Sequence, residues 1–164
     1  MPASVYTSLC VECARAHADK DEDYWDSVLW SDETEINVFG TDDFKTVWRR
    51  KGEEYKEKCM VLTVKHGGGS VLMWGCMSAA GVGELHFIDG IMNSQMYCSI
   101  LKEKMLPSLR ALSHRALFQH DDDPKHTSKA TVGFVKKNRV KVIQGPSMSP
   151  DLNPIKHLWG ILKR

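Results

Sequence analysis

The strongest constraint on the fold is a change of hydrophobic period at Asn93. Before it, apolar residues come in short runs rich in β-branched and aromatic side chains; after it they recur mainly at helical spacing. Val28 to Phe39, with Val28, Trp30, Ile36, Val38 and Phe39 ahead of Gly40, predicts a strand. Met60 to Lys65 and Ser70 to Met77 predict two more, with Gly67, Gly68 and Gly69 as the tight turn between them, and Glu84 to Ile88 reads as a further short strand. Asn93 is an N-cap residue type, and Met96, Ile100, Leu101, Met105, Leu109 and Leu112 share one helical face behind it. Ala116 to His120 predicts a strand that runs straight into Asp121, Asp122 and Asp123. Asp123 followed by Pro124 signals a helix start, continuing to about Lys137, and Val140 to Ile143 a strand. Asn153 and Pro154 repeat the signal before an apolar face of Ile155, Leu158, Trp159 and Leu162. Near the N-terminus, residues 5 to 18 suit a helix that Asp19 to Asp23 cap or link, and Thr41 to Lys58 a polar loop or hairpin. The order is that of an α/β domain with one mixed sheet.

The 164 residues suffice for one domain with a real core. No run approaches the roughly 20 apolar residues that a membrane-crossing helix needs. Five cysteines, Cys10, Cys13, Cys59, Cys76 and Cys98, are odd in number and scattered, which suits reduced thiols in an intracellular protein. The net charge of +1 hides a polarity: residues 1–60 hold 14 acids and 8 bases, residues 61–164 hold 7 acids and 14 bases. A basic second half is compatible with a phosphate-rich partner, and equally with a solvated surface.

Acids stand where an α/β sheet places its ligands, at strand ends and helix starts. They are Asp32 with Glu33 late in the first strand, Asp121 closing Ala116 to His120, and Asp151 before the last helix. Carboxylates gathered there are what a hard cation such as Mg²⁺ requires, and two such ions about 3.5–4 Å apart serve phosphodiester chemistry. The plainer reading is open at this point: Asp123 as a helix cap and Asp32 as a solvated strand-end acid.

Four segments carry a resemblance. VLWSDET (28–34), TVKHGGGSVLMWGCMS (63–78), FQHDDDPKHTSK (118–129) and PSMSPDLNPIKHLWGILKR (146–164) closely resemble the core of mariner-superfamily transposases, the Sleeping Beauty type included, in the family's order and spacing. The resemblance implies a ribonuclease-H-like fold, a mixed five-stranded sheet flanked by helices. It implies an Asp, Asp, Glu triad that uses Mg²⁺ or Mn²⁺ to cut DNA at element ends and join the freed 3′ hydroxyl to a target. It further implies that residues 1–27 are a helical lead-in, the remnant of a linker to a helix-turn-helix domain, and residues 28–164 a core cut short at its C-terminus. DNA, meaning transposon ends and target, is the implied partner, with a second copy or full-length transposase as possible assembly partners, no membrane, and the nucleus as location.

Residue by residue, Asp32 matches the first triad acid and Asp121 the second, the two metal ligands. The third, with 34 residues between it and the second, falls at position 156, where the family has Glu and this chain has Lys156. An ammonium has no lone pair for a metal and repels one. At the third position of a helix capped by Asn153, a cation also opposes the helix dipole and forgoes the capping box. Strongly impaired catalysis is the expectation, with an inactive DNA-binding domain, a protein-partner module and a still-active nuclease as the alternatives. Asp122, where the family commonly has Asn, points to the opposite face from Asp121 if strand alternation holds. Lys125, His126, Lys129, Lys136, Lys137 and Arg139 are the candidate DNA contacts, with Lys141 beside them. A solvated face is the plain reading for the lysines and arginine; His126 could meet DNA or the active site, with a surface helix-start position as its equally good plain reading. Cys10, Cys13 and His17 lack the fourth ligand of a structural zinc site and read as ordinary packing. Gly67 to Gly69 lack the Gly-Lys-Ser/Thr of a phosphate loop. Trp48, in the polar insertion, resembles the family's loop that contacts a partner subunit.

Overall fold

A computed structural model describes residues 11–12, 14–38, 48, 50–53, 56, 69–113, 115–143 and 152–163. Met60 to Lys65, most of Thr41 to Lys58, Cys10, Cys13 and Asp151 lie outside them. A short helix, α1 (Glu22–Asp26), is capped by Asp21, whose side chain accepts from the Tyr24 amide. It delivers the chain to β1 (Val28–Asn37), which pairs antiparallel with β2 (Ser70–Ser78). β2 in turn pairs antiparallel with β3 (Gly81–Ile88). Parallel pairing on the other side of β1 adds β4 (Leu117–Gln119) and then β5 (Lys141–Val142), giving the order β3-β2-β1-β4-β5. The expected mixed five-stranded sheet is present.

Alternation along β1 divides its residues between two cores. Leu29 and Phe118 pair across β1 and β4 and, with Trp74, face a rod formed by α2 (Ser94–Ile100), one π-helical turn (Leu101–Met105) and α3 (Leu106–Leu112). Tyr97, Ile100, Leu101, Met105, Leu106 and Leu109 supply the rod's buried side. Asn93 caps it, its side chain accepting from the Gln95 and Met96 amides. The π turn has a cause in the sequence. Pro107 cannot donate to the carbonyl four residues back, and its ring crowds that carbonyl, so the helix widens just before it. Leu106 accordingly bonds to Leu101, five residues back. α4 (Lys129–Lys137) lies on the same side, with Phe134 against this core.

The opposite face carries α5 (Pro154–Leu162), whose Ile155 and Trp159 pack with Met73. Gly75 makes the approach possible: a Cβ there would stand 2.8 Å from Cη2 of Trp159. The expected apolar face of α5 holds as far as Trp159. Leu158 is half-buried and Leu162 is 56 % exposed, because among the described residues no element covers the last turn. A second departure concerns α4, which begins at Lys129 and not at Asp123. Ser128 is its cap, accepting from the Thr131 amide, while Asp123 closes a separate turn by accepting from the Lys125 amide. The buried Thr131 hydroxyl donates to the Lys125 carbonyl at 2.7 Å, which holds that turn apart from the helix.

Candidate active site

Asp32 sits in mid-β1, opposite Gly75 of β2, on the face that α5 covers. β4 ends at Gln119, level with Trp30 of β1; carrying that parallel register on by two residues brings Asp121 level with Asp32. Two aspartates 89 positions apart in the chain thus become neighbours on adjacent strands. Asn153 places the third position. Its Oδ1 caps α5 by accepting from the Ile155 amide, while Nδ2 donates to the Ser31 carbonyl at 3.0 Å and to Gln119 Oε1 at 2.9 Å. One side chain, 4 % exposed, therefore pins the start of α5 to both central strands. Three residues on, Lys156 Nζ reaches Asp32 Oδ1 at 2.7 Å. Lys156 meets Asp32, and Asp121 lies near enough for its charge to act on Asp32 and for that of Lys156 to act on it.

The acids differ in their surroundings. Burial raises the Asp32 pKa above the ordinary carboxylate range, against the hydrogen bond and charge of Lys156, and the nearby Glu33 and Asp121 push the same way as burial. The hydrogen bond from His126 holds Asp121 well below that range, helped by the Asp123 amide and by Lys156. His126 is 3 % exposed and lies between two carboxylates, Nδ1 at 2.7 Å from Asp121 Oδ1 and Nε2 at 3.1 Å from Glu33 Oε1. Burial alone would lower its pKa, but the bonds to Asp121 and Glu33 outweigh it and raise it to about 9. The ring is therefore an imidazolium at neutral pH, donating to both. Tyr97 packs on it with centroids 4.1 Å apart. His120, hydrogen-bonded to the Tyr97 hydroxyl, is pushed down to about 4 by burial and by the charge of His126.

Glu33 lies one residue from Asp32 and so faces the other side of the sheet, where His126 and Lys125 Nζ (3.6 Å) hold it. Lys125 also pairs with Asp123 at 2.7 Å. Of the candidate DNA contacts, Lys125 and His126 are thus turned into the site, whereas Lys129, Lys136, Lys137 and Arg139 are exposed along α4 and just beyond it. Asp122 lines the same cleft as Asp121, together with His120, His126, Lys136 and Val142. Both acids lie past the last paired residue of β4, where alternation no longer applies. Glu33 stands beside Asp32 among the acids the sequence singles out, but its pairing with His126 and the burial of His126 are not legible from it; the only signal is a histidine five residues after Asp121. His17 packs against Tyr24 and Trp25.

The family model of the DDE superfamily endonucleases matches residues 27–164. The chain belongs to that family. Among its relatives are the Tcb1 transposase of Caenorhabditis briggsae, 43 % identical over 155 residues, and the Tc1 transposase of Caenorhabditis elegans, 41 % identical over 155 residues. Each alignment covers 94 % of this chain and 57 % of the relative, so the chain spans little more than half of their length. Its fold is similar to that of part of the Mos1 transposase. A Mos1 paired-end complex with Mg aligns at a TM-score of 0.75 with 19 % identity, over 96 % of this chain and 47 % of that one. The catalytic domain of Mos1 aligns at 0.64 with 16 % identity, over 99 % and 71 %. The sheet and its flanking helices are the ribonuclease-H-like arrangement of that domain.

A DDE-family site calls for a divalent cation, and the residues present do not fit one. Asp32 and Asp121 offer carboxylate oxygens, but Asp32 Oδ1 holds an ammonium and Asp121 Oδ1 holds an imidazolium. Among the described residues no three His, Cys, Asp or Glu side chains gather as a metal-binding group.

Proposed function

We propose that this DDE-family domain handles DNA as a transposase does, gripping it through Lys129, Lys136, Lys137 and Arg139, while its strand cleavage and transfer are strongly impaired. The observation that carries the reading is the 2.7 Å contact between Lys156 Nζ and Asp32 Oδ1. It supports a site assembled on the family's plan, since position 156 meets Asp32, but with the sign of the third charge reversed. Mg²⁺ or Mn²⁺ would meet two carboxylates and a competing cation, so binding of either is weakened. The transposase relatives and the transposon-end complexes of Mos1 support DNA as the partner. A role of this kind belongs in the nucleus.

Supercoiled-plasmid nicking and strand-transfer assays with Mg²⁺ and Mn²⁺ test the catalytic half. Native activity that Asp32→Ala abolishes would refute it. For the DNA half, binding should weaken with salt, each neutralised phosphate contributing about 0.9 to the log–log slope. Lys136→Glu with Lys137→Glu should make that slope shallower by roughly 2; an unchanged slope would remove α4 from the interface. Trp48, 95 % exposed, favours a second reading in which the domain docks onto full-length transposase and disables it. Co-purification lost in Trp48→Ala, with DNA binding intact, would support that reading.

A further inference from the structure

Helix α5 is attached to the sheet by Ile155 and Trp159, which pack with Met73, Ile36, Val71 and Met77, by the Asn153 hydrogen bonds, and by Lys156 on Asp32. The last of these replaces what would otherwise be a repulsion. Asp32 is 7 % exposed, with Asp121 and Glu33 both acting on it as like charges. A third acid arriving on α5 at position 156 would complete a cluster of converging anions, and a buried anion without a cation is strongly unfavourable. Such a cluster holds together once a divalent ion enters it. In this chain the cation is covalently attached to the incoming helix.

We propose that Lys156 is a built-in cation: its ammonium holds α5 against β1, so that this domain closes its site and keeps it closed without any metal. The proposal deepens the impaired-cleavage reading and rests on the same ion pair, but it concerns the cohesion of the domain and not its chemistry. Nearby acids also lie against basic side chains of the chain itself: Glu33 and Asp123 share Lys125, and Asp121 and Glu33 share the His126 ring. A divalent ion therefore has no open charge on Asp32 to satisfy, and entering would require the ammonium to leave.

The test is a set of thermal melts in EDTA and in Mn²⁺, comparing the native chain with Lys156→Met, Lys156→Glu, Asp32→Asn and the double variant Asp32→Asn/Lys156→Met. The native midpoint should be the same in both conditions. Lys156→Met keeps the length of the side chain and strands Asp32; its midpoint should fall by roughly 5–10 °C, less than for a fully buried pair because Lys156 is one-third exposed. In the double variant most of that loss should return, since the stranded anion is gone. Lys156→Glu should melt low in EDTA and rise in Mn²⁺. A native midpoint that climbs with Mn²⁺ and stops doing so in Asp32→Asn would overturn the proposal. So would a Lys156→Met chain as stable as the native one, losses that simply add in the double variant, or a Lys156→Glu chain that gains nothing from Mn²⁺. Should Lys156→Glu not fold in EDTA, the Met and Asn variants decide. Plasmid nicking by the native chain would sink the functional reading while leaving these melts to speak for themselves.

Discussion

Replacing Asn153 tests how the site is put together. Its side chain does two separable things: Oδ1 caps α5, and Nδ2 ties the helix start to Ser31 of β1 and Gln119 of β4. Loss of an N-cap costs about 1 kcal/mol. The two hydrogen bonds of Nδ2 are worth about 1 kcal/mol each, and their acceptors would be left in a buried setting. Asn153→Ala should therefore destabilise the domain by about 3 kcal/mol, which for a chain of this size is about 6–12 °C in midpoint. Asn153→Ser retains a capping hydroxyl and loses the clamp, so it should give back about 1 kcal/mol and leave about 2 kcal/mol missing. Urea unfolding followed by tryptophan fluorescence measures both, Trp159 being the reporter on α5. Because Lys156 reaches Asp32 from the helix that Asn153 anchors, the effects of Asn153→Ala and Lys156→Met should also couple and not add. If Asn153→Ser unfolds with the native chain, the clamp contributes nothing and the reasoning fails.

Other outcomes follow from neighbouring contacts. Gly75→Ala puts a methyl against the Trp159 ring and should destabilise by about 1–3 kcal/mol through displacement of α5, an effect that Trp159→Leu should relieve in the double variant. The pH dependence of stability should carry the mark of His126, whose folded pKa of about 9 stands above the ordinary value of 6.5. A raised histidine stabilises fully below its unfolded pKa, so this contribution, roughly 3 kcal/mol, should be complete below pH 6.5 and fade as pH rises through 9. His126→Gln should flatten the profile over that window; a native profile equally flat would contradict the imidazolium between Asp121 and Glu33.

How far the sequence anticipates this molecule depends on the reach of each interaction. β1, β2 and the capped helices behind Asn93 and Asn153 are legible because period and cap chemistry act over a few residues. Positions 32, 121 and 156 are legible only through resemblance, for nothing local brings together side chains separated by 89 and 124 positions. The start of α4 was misplaced because Asp123–Pro124 is a sound helix signal that a tertiary contact, Thr131 to the Lys125 carbonyl, overrides. His126 reads equally as a surface residue and as a contact of DNA or of the active site until its two carboxylate partners are known, one of them 93 positions away. The exposed Leu162 marks the limit of periodicity: it tells which side of a helix is apolar and not what covers it.

Calorimetric titration of Mn²⁺ into the native chain puts the central claim to the most direct test. With the Lys156 ammonium seated on Asp32, no heat that depends on Asp32 should appear, the trace matching that of Asp32→Asn. Saturable binding that disappears in Asp32→Asn would mean that the metal displaces the lysine, and the account given for this site would be wrong.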